Sequence, residues 1–171
     1  MGDLFMITIQ QVSIAPFTAG LQSLAAILDK AKAWVETRKL DPNAILHARL
    51  APDMFHFARQ VQAVTDQARN VARLAGVEPP KYENTEATFD DLKTRISRTI
   101  AFLGSLTPAQ TAAAEDKTID VPFGPQTVQM KGIDYLERLV VPNFFFHLTA
   151  AYSILRHNGL EIGKRDFLGL R

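Results

Sequence analysis

The segment from about Ile133 to Asn158 limits the fold more than any other, because its helical period leaves almost no polar face. At about 3.6 residues per turn, Leu136, Val140, His147, Ala151 and Ile154 share one stripe, while Val141, Phe145 and Tyr152 mark a second. A helix that is apolar nearly all round is either central to a core or packed against a second subunit. The first stripe carries an imidazole. An unpaired buried polar group costs about 1–3 kcal/mol, so His147 needs a hydrogen-bond partner, a metal or a ligand.

Three further segments repeat apolar residues at helical spacing. The first places Phe17, Leu21, Leu24, Leu28, Ala31 and Val35 on one face, with Pro16 opening this helix or kinking a longer one from near Thr8. The second repeats Phe57, Val61, Val64, Ala68, Val71 and Ala75 and stops at Gly76; Pro52 fits its first turn. A short turn at Asp41-Pro42 precedes it. The third runs through Phe89, Leu92, Ile96, Ile100 and Leu103, with Thr88 as its cap. The fourth, already described, ends at Gly159. Before it, Thr118–Phe123 and Gln126–Met130 alternate around Gly124-Pro125, which predicts a small β-hairpin with Pro122 at an edge. The expectation is an all-α, single-domain four-helix bundle spanning residues 1–171, with a hairpin inserted before the last long helix. Phe167 and Leu168 of the tail can fold back on it.

A formal net charge of +1 gives no electrostatic reason for a nucleic-acid or acidic-membrane partner. With no cysteine, disulfides, thiolate nucleophiles and zinc–thiolate sites are excluded. Met1–Thr8 lacks the pattern of a signal peptide or myristoylation site, and Leu139–Leu155 is too short and too polar for a membrane span, which points to the cytoplasm.

Motifs for nucleotide loops, zinc proteases, di-iron bundles and serine nucleophile elbows are absent. On a helix starting near Pro52, His56 and Gln60 share one flank at i, i+4, with Asp53 three positions before His56. That acidic, imidazole and amide flank supplies metal ligands or proton-transfer groups, or else is a solvated boundary stripe. A ligand pocket would draw on Phe57, Gln60, Asn143 and Phe144, with His147 orienting a polar group. His47 belongs on the surface, and His157, ten positions after His147, lies about 15 Å from it along a helix.

Three stretches carry a resemblance over nearly the full length: Asn43–Phe55, Asn143–Gly159 and Gly163–Gly169. They resemble an uncharacterised branch of the DinB/YfiT-like superfamily of helical bundles. The resemblance implies an often dimeric bundle in which three histidines hold a divalent metal, one from the second helix and a His-x-x-x-His pair from the fourth. His147 matches one of that pair, but Ala151 stands four later and Asn143 four earlier. His56 or Gln60 lies in the second-helix ligand region. The implied site is thus an altered one, with His147, His56 and Asp53 as candidate ligands for zinc or nickel. Two readings stay open: a metal-dependent hydrolase or transferase with a degenerate histidine site, and a non-catalytic module that binds a small molecule or forms a homodimer.

Overall fold

The computed structural model describes residues 8–112 and 114–170. Met1–Ile7, most of the N-terminal stretch that lacks a targeting pattern, lies outside them. The first helix begins with a π turn, Gln10–Ile14, and continues as α1, Ala15–Arg38. Pro16 therefore lies inside a longer helix. The stripe from Phe17 to Val35 is buried throughout. By length and composition Gln10–Arg38 could cross a membrane, yet here its stripe is packed into the core of the bundle.

Asp41 caps α2, Pro42–Leu46, accepting from the Asn43 amide at 2.9 Å. The second long helix departs from expectation. It starts at Phe57, not near Pro52: α3 spans Phe57–Arg69, and α4, Val71–Ala75, follows after Asn70. Ala51–Met54 instead forms a turn closed by Met54 N–H to Ala51 O at 3.0 Å. Arg49 donates to the Met54 carbonyl, and Phe57 N–H reaches back to Ala48 O at 2.9 Å. Together these bonds outweigh the local fit of proline to a first helical turn. Gly76 ends α4 at φ +66°.

Thr88 forms a reciprocal capping box with Asp91 at the start of α5, Phe89–Ser105. The short α6, Pro108–Thr111, leads to the hairpin of β1, Thr118–Phe123, and β2, Gln126–Lys131, paired antiparallel with Pro122 opposite Thr127. In a two-stranded ribbon both strands are edges, so the proline can turn its ring away from the ladder. Gly132 takes the chain out of the hairpin against Ala114, where an added Cβ would lie 1.9 Å from the Ala114 carbonyl oxygen. The fourth helix is α7, Gly132–Tyr135, a second π turn, Leu136–Val140, and α8, Val141–His157; α9, Lys164–Phe167, closes the tail.

Helix α8 packs most extensively on α3, and α5 packs on both α3 and α1. Phe17 stacks on Phe144 at 4.3 Å in the centre. The tail covers part of the second face of α8. Tyr152 donates to Ile162 O at 3.4 Å and meets Phe167 edge-on at 5.7 Å, while Leu168 stays exposed.

Candidate functional site: the His147 centre and a cleft between two π turns

His147 and Gln60 meet. The His147 Nδ1 lies 2.7 Å from Gln60 Oε1, and Gln60 Nε2 donates to the Phe55 carbonyl at 3.2 Å. The second bond fixes the amide's orientation, because only Nε2 can donate to a carbonyl. Oε1 therefore faces the imidazole and Nδ1 carries the proton. Gln60 is 1% exposed and His147 half-buried, between the rings of Phe55, stacked at 6.1 Å, and Phe146, edge-on at 5.2 Å. Burial holds the His147 pKa below the usual histidine value, and the Arg59 charge lowers it further against the opposing pull of Asp66.

The other proposed ligands do not join it. Asp53 sits exposed in the Ala51–Met54 turn, because the helix starts after it. His56 is the extended N-cap of α3, so its side chain does not share a helical flank with Gln60. Its Nδ1 lies 3.2 Å from Leu46 O and 3.4 Å from Arg59 N. The first contact needs a protonated nitrogen and the second a lone pair, so the ring makes one of them at a time. Burial depresses the His56 pKa, with the neighbouring His47 and Arg49 charges acting in the same direction. His47 is exposed, its ring 5.1 Å from that of His56. Asn143 donates to Leu139 O at 2.7 Å. Phe57 and Phe144 are fully buried within the packed core. Among the described residues, no group of three His, Asp or Glu side chains is placed to hold a metal. A zinc-like catalytic site takes three protein ligands and an open position, and the donor set around His147 does not fit one.

Beside His147 lies a polar network that the sequence did not reveal. Arg95, 2% exposed on α5, donates to Thr65 Oγ1 at 2.6 Å, Asp66 at 2.6 Å, Glu86 at 3.0 Å and Glu83 O at 3.1 Å. Asp66 also pairs with Arg69 at 2.5 Å and Arg59 at 3.3 Å, and Gln62 donates to Glu86 at 2.9 Å. The guanidiniums of Arg69, Arg95 and Arg98 lie 4.1, 5.0 and 4.5 Å from the Tyr82 ring centroid. Arg59 connects the two regions, since its guanidinium also sits 5.0 Å over Phe55. The network fastens the 77–88 connection to the bundle. Arg95 directly precedes Ile96 of the buried stripe, which is the one hint in the sequence.

A large cleft lies elsewhere. Pro16 and Pro142 lack the N–H that an α-helix would use, and their rings press on the carbonyl four residues back. Each is preceded by a widened turn: Ala15 N–H bonds Gln10 O, and Val141 N–H bonds Leu136 O, both five residues apart. The two π turns line one cleft of about 1190 Å³ together with the α6 region. Ile9, Val12 and Ile14 line one side, and Ile133, Leu136 and Val141 the other. π turns within helices are frequent at functional sites.

The DUF1993 family profile, a domain of unknown function, matches residues 9–168. The chain belongs to the DUF1993 family. This DUF1993 chain is also 38% identical to a DinB family member protein from Shewanella denitrificans, over 94% of this chain and 92% of that one, with a TM-score of 0.89. That crystal structure establishes the DinB-like bundle expected from the sequence. No curated protein matches.

Proposed function

We propose that this DUF1993 chain is a non-catalytic small-ligand-binding module whose site is the cleft between the two π turns. The carrying observation is that cleft: about 1190 Å³, lined largely by aliphatic side chains from two helices. Pockets for drug-sized ligands run from about 300 to 1,000 Å³ with mostly apolar walls. The metal-dependent hydrolase or transferase implied by the superfamily has no comparable support, because His147 is bonded to an amide and Asp53 is remote from the bundle interior. The test uses N-phenyl-1-naphthylamine, a neutral apolar fluorophore. Val12→Trp, which fills the cleft, should weaken its binding about tenfold, while His147→Ala leaves it unchanged. Equal binding by wild type and Val12→Trp refutes this location.

A second reading rests on the outer face of α8. Phe146 is 56% exposed and Phe55 45%, beside a groove of about 430 Å³ whose lining residues include Leu50, Met54, Phe145 and Thr149 and carry no charge. An aromatic-rich face around a groove without charged lining residues suits self-association, so homodimerisation through α8 is the companion proposal. Light scattering across a concentration series tests it; a monomer at every concentration removes it.

A further inference from the structure

The cleft's polar groups indicate what kind of molecule it takes. This step rests on the cleft being the ligand site. Several of its neutral polar side chains are already engaged: Gln10 Nε2 donates to Leu106 O at 3.1 Å, Gln11 Oε1 accepts from Thr8 N at 2.9 Å, and Thr111 donates to Pro108 O at 3.2 Å. Among the described residues, the charged ones lining it are Glu115 and Glu137. Neither carboxylate has a hydrogen-bond or ion-pair partner among the described residues. The local fold brings them to one rim: Ile133 N–H bonds the Glu115 carbonyl at 3.1 Å, and Glu137 follows Ile133 by one helical turn. Of the cations close to them in sequence, Lys117 donates to Leu74 O at 3.0 Å and Arg138 pairs with Asp134 at 3.9 Å. The chain as a whole is close to neutral, at +1, so the negative rim is a local property and not a general acidic field.

We infer that the cleft binds an amphiphilic organic cation, with an apolar body held between the two π turns and an ammonium group at the Glu115–Glu137 rim. The aliphatic wall holds the body by burial. The carboxylates supply the discrimination, since an anionic head group would meet two like charges and a neutral one would gain no charge attraction, only such hydrogen bonds as its hydroxyls donate.

The experiment compares three probes of one chain length, each below its micelle concentration: octyltrimethylammonium, octyl glucoside and octyl sulfate. Calorimetric titration of the full chain should give the cation about three- to tenfold tighter binding than the glucoside, as expected from partly exposed ion pairs, with the sulfate weakest. Raising the salt from 50 mM to 500 mM should reduce the preference in the wild type. Glu115→Gln/Glu137→Gln should bring cation and glucoside within about twofold. Both residues are exposed, so folding should survive, and the salt series reads the same charge effect without any substitution. Equal binding of cation and glucoside by the wild type, or an unchanged preference in the double variant, overturns the inference while leaving the ligand-binding reading intact. If none of the three binds, or if Val12→Trp binds all three as wild type does, the ligand-binding reading fails as well.

Discussion

Replacing Arg95 with Met removes the centre of the α3–α5 network while keeping the aliphatic stem and the helix. The cost follows from what each partner loses. Thr65 still donates to Gln62 O at 2.7 Å, and the Glu83 carbonyl belongs to an exposed residue that water can satisfy. Asp66 keeps Arg69 at 2.5 Å and Arg59 at 3.3 Å. Glu86 is the group left stranded, its side chain 12% exposed and retaining only the Gln62 amide at 2.9 Å. Breaking a buried ion pair by removing one partner costs about 3–5 kcal/mol; because only one carboxylate is stranded, we expect about 3 kcal/mol. For a chain of this length each kcal/mol moves the melting temperature by about 2–4 °C, so Arg95→Met should melt about 6–12 °C lower. Glu86→Gln in the same background removes the stranded charge and should restore a large part of the loss, giving a coupling of about 1–2 kcal/mol in a double-mutant cycle from urea unfolding. Hydrogen exchange should rise first in residues 77–88, which the network holds to the bundle. A loss below about 1 kcal/mol, or additive effects of the two substitutions, would refute the idea that Glu86 depends on Arg95.

Other outcomes follow from the same structure. His147 and His56 both have folded-state pKa values below their unfolded value of about 6.5. As pH falls through 6.5 the unfolded chain therefore takes up protons before the folded one, and stability drops until the lower folded-state values are passed. Above pH 6.5 these groups contribute no pH dependence, and His147→Asn should flatten the urea midpoint between pH 7 and 5; an unchanged slope counts against the His147 share. Gly132→Ala forces a methyl group into the Ala114 carbonyl and should destabilise by about 3 kcal/mol, near the upper end for overpacking; an unaltered denaturation midpoint would show that the hairpin exit is not tight. Untagged protein should contain far less than one divalent metal per chain by elemental analysis, and stoichiometric zinc or nickel lost in His147→Ala would revive the metal-site reading. Phe146→Glu should abolish any dimer seen by light scattering without lowering the melting temperature.

What was legible in the sequence was local. The stripes from Phe17 to Val35 and from Phe89 to Leu103 reported helices because burial on one face imposes the period directly. Thr88, Gly76 and Gly159 marked helix ends through groups that act within one turn. The start of α3 was not legible: Pro52 is suited to a first turn, but the bonds that decide the matter join Ala48 to Phe57 and Leu46 to His56. The meeting of His147 with Gln60 could be placed only as two residues on facing helices, since 87 positions separate them. Arg95 was hidden for the same reason: its partners lie on α3 and in the 77–88 connection, and a charged residue beside a buried stripe ordinarily reads as a boundary position. Pro16 and Pro142 were visible as interruptions. That each would widen a turn, and that the two widened turns would face one cleft, depends on how the helices pair.

The opening between the first and fourth helices is bordered by main chain whose ordinary ladder is interrupted just before a proline. Val12 and Ile14 line the recess directly, so exchanging either alters its volume at that point without touching the helix ladder. Changing Pro16 or Pro142 is an alteration of a different order, because it allows the ordinary ladder to re-form and the helix beyond it to rotate. On the proposed ligand-binding reading, the choice of guest and the existence of the chamber would be encoded at separate positions, the lining side chains for one and the two prolines for the other.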